Sequence, residues 1–212
     1  MTMSLYSGTP GSGKSLHATD RIYRRLKRGM PVIANYNLDS KVIPHPELFH
    51  YVDNSELNPK WLVDFAREWF CTHRFGEDRI LLVVDECQLL YNSRDWRDED
   101  RKAWLQFYSQ HRKYGYCVIL VAQFDLMIDK QFRSLLEYEY IHRKVSNFGV
   151  VGWLLSLLFL GRMHVCIHRY YPLNQKLGSS WFLARRSLFN LYDSYGDFQR
   201  LDGDDVAVVG QG

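Results

Sequence analysis

Gly8-Thr9-Pro10-Gly11-Ser12-Gly13-Lys14-Ser15 is the stretch that decides the reading of this chain. It satisfies in full the pattern Gly-x-x-x-x-Gly-Lys-Ser/Thr, directly after a strand-like run at residues 3–7 and directly before a helical one. Glycines keep side chains out of the path of a phosphate and let successive backbone N–H groups curl around it, while the helix start adds partial positive charge. Lys14 then has the reach for the β and γ phosphates of a nucleotide, and Ser15 can offer its hydroxyl to Mg2+. Gly8, Thr9, Pro10, Gly11, Ser12, Gly13, Lys14 and Ser15 are therefore the candidate nucleotide-binding residues.

Working outward, Leu16, Ile22, Tyr23 and Leu26 recur at helical spacing and stop at Gly29. Residues 31–35 read as a second strand, and 37–58, polar and carrying Pro44 and Pro46, as an irregular excursion. Asn58 before Pro59 is a cap and first-turn signature for a helix through Trp61, Leu62, Phe65, Trp69 and Phe70. The unbroken apolar run 80–84 predicts a strand covered on both faces, which delivers Asp85 and Glu86 to the sheet edge. Asp85 is the candidate Mg2+ ligand, directly or through water, and Glu86 the candidate general base for the attacking water. Together with the glycine-rich loop, this pair predicts hydrolysis of a nucleotide and not binding alone.

Residues 98–112 place Trp104, Leu105, Phe107 and Tyr108 on an amphipathic helix that breaks at Gly115. A second central strand follows at 117–122. Gln123 at its carboxyl end reads either as a sensor of the γ phosphate or the attacking water, or as a local backbone cap. Arg112 has two readings, an arginine finger projected into a neighbouring subunit's site and a solvated helix-end charge favoured by the macrodipole. Arg133 and Arg143 are weaker finger candidates. A short helix within 125–132, an alternating strand at 136–144, a strand at 163–171 and a helix or strand at 187–195 complete the reading, with a Gly- and Asp-rich tail after 196. Strand and helix alternate through the first 135 residues, which predicts an α/β fold around a mainly parallel sheet.

Composition narrows the class. The 212 residues, 46% hydrophobic and 24% charged, suffice for one substantial core and exclude a disordered chain. Lys+Arg 27 against Asp+Glu 24 gives +3, too weak a bias to demand nucleic acid or an anionic membrane. Cys71, Cys87, Cys117 and Cys166 are widely spaced, as reduced core cysteines are, and no histidine pairs with them at ligand spacing in the sequence, which argues against protein-bound zinc. No Asn-Lys-x-Asp string occurs, so ATP is preferred to GTP. The N-terminus lacks the pattern of a signal peptide, making a cytosolic compartment the default. The apolar run 148–161, FGVVGWLLSLLFLG, falls short of the roughly 17 to 25 residues a spanning helix needs. It reads first as a buried or oligomer-covered element, then as a segment lying against a membrane or partner, and last as a span.

Residues 8–15 at the extreme N-terminus, Asp85-Glu86, His111-Arg112-Lys113-Tyr114-Gly115 leading to Gln123, and Leu191-Tyr192-Asp193-Ser194-Tyr195 give the chain a resemblance to the zonular occludens toxin family, whose members include assembly ATPases of filamentous bacteriophages. The resemblance covers roughly residues 1–196, a nucleotide-binding core at 1–135 and a family-specific distal part at 136–196, and residues 197–212 read as a flexible tail beyond it. It implies a P-loop fold of the additional-strand type, RecA- or FtsK-like. It also implies an ATPase that uses ATP and Mg2+ to drive phage assembly and export at the cytoplasmic face of the host inner membrane. On the family pattern Lys14 and Ser15 hold nucleotide and metal, Asp85 the metal, Glu86 the water, and Gln123 the sensing position. The implied partners are copies of the chain in an oligomer, with a hexameric ring as the reference, phage assembly and coat proteins, and single-stranded phage DNA. Family members usually continue into one membrane span and a periplasmic part, so this chain is expected to be the cytoplasmic domain. A DNA packaging or conjugative translocase and a nucleotide-regulated scaffold are the alternatives.

Overall fold

Strand β1 (Met3–Ser7) enters the glycine-rich loop and continues into helix α1 (Lys14–Leu26). The chain then forms β2 (Val32–Ala34), β3 (Phe49–Tyr51), α2 (Pro59–Thr72), β4 (Ile80–Val84), α3 (Asp98–Gln110), β5 (Tyr116–Val121) and the one-turn α4 (Lys130–Arg133). Three further strands, β6 (Tyr138–Lys144), β7 (Met163–Tyr170) and β8 (Gln175–Leu183), follow. This computed structural model describes residues 2–91, 98–145 and 163–183. The run 148–161, the segments 187–195 and 191–195 and the tail from 197 lie outside the described residues.

All eight strands join one sheet in the order β3-β2-β4-β5-β1-β6-β7-β8. The first six are parallel, and β7 and β8 add to β6 as an antiparallel ribbon. Every residue of β1, β4 and β5 is buried, as an unbroken apolar run in a two-sided parallel sheet requires. On one face Leu16, Ala18, Ile22 and Leu26 of α1 pack against Tyr6, Leu81, Val83, Ile119 and Val121. On the other, Leu62 and Ala66 of α2 and Trp104, Phe107 and Tyr108 of α3 cover Leu5, Leu82, Val84, Val118 and Leu120. Full burial of side chains such as Ile22 and Leu26 contributes about 1.5–3 kcal/mol each. The fold is thus a three-layer α/β arrangement, as the alternation predicted.

Two polar devices set helix positions. Asn58 Oδ1 accepts a hydrogen bond from the Trp61 N–H at 2.9 Å, capping α2 where the Asn-Pro pair predicted its start. Buried Arg25, in the last turn of α1, donates to the Asp78 carbonyl at 2.7 Å and pairs with its carboxylate at 2.6 Å. That anchors the far end of α1 to the entrance of β4, so the helix is fixed at both ends relative to the sheet.

Two strands depart from the sequence reading. β3 lies inside the predicted irregular excursion and pairs in parallel with β2, while β8, which no alternation announced, pairs with β7. No helix among the described residues is long and apolar enough to cross a membrane.

Candidate functional site

Parallel pairing brings the carboxyl ends of β1, β4, β5 and β6 to one edge of the sheet. There the loop 8–13 turns with Gly8, Gly11 and Gly13 at positive φ, and Gly13 starts α1. The Gly8 N–H donates to the Gln123 carbonyl at 3.1 Å, tying the loop entrance to the end of β5, and the Ser12 N–H donates to the Thr9 carbonyl at 3.1 Å. The Ser12 hydroxyl is buried with no hydrogen-bond partner among the described residues. A buried orphan hydroxyl costs about 1–3 kcal/mol, which an oxygen-rich ligand in the loop would recover.

Lys14 is buried in the first turn of α1, where Nζ donates to the Thr9 carbonyl at 3.3 Å. Burial pulls its ammonium below the usual lysine range, and the charges of Glu86 and Asp85 oppose that pull. Asp85 is buried across β5 from the loop. Burial pushes its carboxyl up, and hydrogen bonds from the Ser15 hydroxyl and the Glu86 N–H, the latter at 2.9 Å, draw it back. The structure therefore places Lys14 and Ser15, at the start of α1, at the same sheet edge as Asp85 and Glu86, whose charges act on the Lys14 ammonium. An alcohol and a carboxylate at one edge are the hard oxygen donors that suit Mg2+, and the residues present fit such an ion.

Glu86 adopts a left-handed backbone, φ 45°, and its carboxylate accepts a hydrogen bond from the Gln88 amide. A non-glycine residue held in that region costs of order 1–3 kcal/mol, here at the side chain assigned to the water. Gln123 meets the loop through its backbone carbonyl, and its side chain is half-buried beside it.

Arg112 is not brought to this edge. It pairs with Glu137, whose own N–H donates to the Met3 carbonyl, so both lie at the amino end of β1. Arg133 ends the one-turn α4, and its Nε is buried without a hydrogen-bond partner among the described residues. Arg143 lines a cavity of about 330 Å3 beside Gly8 and Thr9, together with Arg169 and the exposed Phe124.

Several site residues went unnoticed in the sequence. Asn35, just past β2, clamps the backbone of Asp85: its Oδ1 accepts from the Asp85 N–H at 2.6 Å and its Nδ2 donates to the Asp85 carbonyl at 2.8 Å. Asn35→Ala is expected to lower stability by about 1–3 kcal/mol by leaving both groups unpaired, read as a fall in the urea midpoint at constant slope. Lys144 lies against Gly11. The His164 ring lies against Gly13, and buried Glu139 accepts from the Ser7 hydroxyl at 2.6 Å while pairing with Arg169. The one available signal was the alternation of 136–144, which aims His142 and Lys144 at the same sheet edge as the loop.

Comparison with known proteins agrees with this geometry. The profile of the zonular occludens toxin (Zot) family matches residues 2–197. The Gene 1 protein of Enterobacteria phage I2-2 is 29% identical over 208 residues, which cover 92% of this chain and 56% of the relative. The chain thus spans little more than half the length of that protein. Among solved structures, the N-terminal domain of zonular occludens toxin from Neisseria meningitidis aligns with a TM-score of 0.54 at 19% identity, over 91% of this chain and 98% of that one. The DNA-packaging ATPase B204 of Sulfolobus turreted icosahedral virus aligns with a TM-score of 0.53 at 13% identity, over 87% and 98%. The fold is therefore one that ATPase domains also use.

Proposed function

The chain belongs to the zonular occludens toxin family, and from that premise we propose that it is a Mg2+-dependent ATP hydrolase whose turnover drives assembly and export of filamentous phage particles at the cytoplasmic face of the host inner membrane. The observation that carries this reading is the convergence of Lys14, Ser15, Asp85 and Glu86 at one sheet edge, beside a loop whose buried Ser12 hydroxyl has no partner among the described residues. The position of β5 between loop-bearing β1 and acid-bearing β4 supports placing the domain in the additional-strand class, RecA- or FtsK-like.

In this reading the loop N–H groups and the start of α1 orient the phosphates. Lys14 exchanges its contact with the Thr9 carbonyl for phosphate oxygens. Bound Mg2+, held through Ser15 and Asp85, supplies charge neutralisation at those oxygens. Glu86, fixed by Gln88, accepts the proton of the attacking water. Gln123 contacts the γ phosphate or that water and passes its loss to the loop through its carbonyl bond to Gly8.

The working form is a homo-oligomer, a ring by analogy with related motors, acting with phage assembly and coat proteins on single-stranded phage DNA. Because Arg112 sits at the opposite end of the sheet from its own loop, it can serve only a neighbouring subunit's site, after release from Glu137. The test is steady-state ATP hydrolysis across a protein concentration series, with Arg112→Ala alongside. Activity rising more steeply than concentration, and falling sharply in Arg112→Ala without loss of assembly, is the expected result. Activity proportional to concentration and indifferent to Arg112→Ala would remove the shared site and turn attention to Arg143. Nucleotide binding with no hydrolysis at any assembled concentration would overturn the motor reading in favour of a scaffold, and DNA-stimulated turnover with directional movement would favour a packaging translocase.

A further inference from the structure

Behind the nucleotide loop, three side chains from three elements converge. His142 of β6 and Cys166 of β7 are direct cross-strand partners on the α1 side of the sheet, and His17, in the first turn of α1, descends onto them. One ligating atom from each, two imidazole nitrogens and the thiol sulfur, lies within 4.8 Å of the others. His142 and Cys166 are buried, at 1% and 0% exposure, whereas His17 is partly open to solvent.

The orientation of the rings gives the cluster a direction. His142 Nδ1 faces the Ser7 carbonyl at 3.3 Å, which makes Nδ1 the protonated nitrogen and leaves the Nε2 lone pair aimed inward. That lone pair meets His17 Nδ1 at 2.8 Å. The His17 ring is stacked on both Tyr6 and Phe182, with centroids 4.9 Å away in each case, so it is held where it stands. A ring nitrogen fixed by a backbone carbonyl, with the other nitrogen presented to a shared centre, is how proteins set the tautomer of a metal-ligating histidine.

We infer that His17, His142 and Cys166 form a zinc site, with a water in the fourth position on the open His17 side. The donor set, two imidazoles and one thiolate, suits a borderline-soft divalent ion and not Mg2+. Zinc bonds of about 2.0 Å to nitrogen and about 2.3 Å to sulfur require donors about 3.5 Å apart in a tetrahedron. Closure therefore draws the outermost donor in by roughly 1 Å and parts the two ring nitrogens, now 2.8 Å apart, by roughly 0.5 Å as their hydrogen bond is given up to the ion. Binding displaces the thiol proton of Cys166, and His17 turns its proton to Nε2. The ion would then cross-link α1, β6 and β7 immediately behind Gly8, bracing the strands and helix that carry the loop. The three residues are remote in sequence, and only the strand register unites them, which is why ligand spacing read along the chain argued against zinc.

Cobalt(II) is the probe. Titrated into the purified chain, it is expected to give one equivalent of tetrahedral ligand-field absorption with a thiolate-to-cobalt charge-transfer band, and zinc, but not magnesium, should bleach both. Cys166→Ser should remove the charge-transfer band, while Cys71→Ser, at the exposed cysteine, leaves it intact. His17→Gln, on the more open ligand, should weaken cobalt by about tenfold or more with an unchanged far-UV spectrum, and should abolish the zinc-dependent rise in thermal midpoint seen in the parent. Absence of the bands, bands that survive Cys166→Ser in a folded protein, or bands lost with Cys71→Ser would overturn the site.

Discussion

Glu86→Gln is expected to leave ATP affinity within about a few-fold of the parent while slowing turnover by roughly 10²- to 10⁴-fold. The amide keeps the volume of the side chain and still accepts from Gln88, so the left-handed turn after β4 has no reason to move. What disappears is the carboxylate proposed to take the water's proton. Lys14→Ala should behave differently, losing binding as well as turnover. Lys14 is buried among the charges of Asp85 and Glu86, and removing it takes away a cation that holds the Asp85 carboxyl down. Asp85, already pushed up by burial, then gives up its charge more readily to a proton, and the proposed Mg2+ site loses a ligand. Equilibrium binding of a fluorescent ATP analogue beside a phosphate-release assay separates the two variants. A Glu86→Gln protein that keeps half the parental turnover would place the base elsewhere.

Gly8→Ala should be the most damaging single methyl group in the domain, lowering stability by about 3 kcal/mol or more and abolishing nucleotide binding. At φ +139° Gly8 occupies backbone space that L-residues avoid, and an added Cβ would lie 2.4 Å from the His142 carbonyl oxygen and 2.8 Å from Ser12 Oγ. The first of these is backbone of β6 and cannot rotate away. Gly29 separates the two causes: it too has positive φ, +67°, but a Cβ there meets nothing within 4 Å. Gly29→Ala should therefore cost only the left-handed penalty, about 1–2 kcal/mol. Similar urea midpoints for the two variants would show that backbone conformation, and not the collision with β6, sets the cost at Gly8.

The comparison of sequence and structure divides along the range of the forces involved. β4 and β5 were legible because a strand buried on both faces is apolar throughout, and no polar residue interrupts 80–84 or 117–122. β1, which buries Ser4 and Ser7, was instead legible from the glycine-rich loop it leads into. The loop 8–15 was legible because its requirements are local: no side chain at the glycines, a lysine and a hydroxyl at fixed offsets. β3 was not, since a strand of three half-buried or exposed residues centred on a histidine carries no periodic signal. β8 was hidden by Gly178, Ser179 and Ser180 and by the exposed Leu177 and Trp181, which read as loop. Asn35 and the cluster of His17, His142 and Cys166 owe their positions to strand order and register. Nothing in a linear spacing encodes those.

The arrangement of strands also has a mechanical side. β1 is flanked on both sides by parallel partners, β5 and β6, whereas β7 and β8 are joined by a tight turn as an antiparallel ribbon. Tension drawn along β1 through its loop must slide it against both neighbours at once, loading their hydrogen bonds in shear. Tension applied where the chain enters β7 and leaves β8 acts at one end of the ribbon and opens its bonds in turn, like a zipper. The domain is stiff along the strand that carries the glycine-rich loop and compliant at its outer edge, so strain entering from that side is taken up before it reaches the loop.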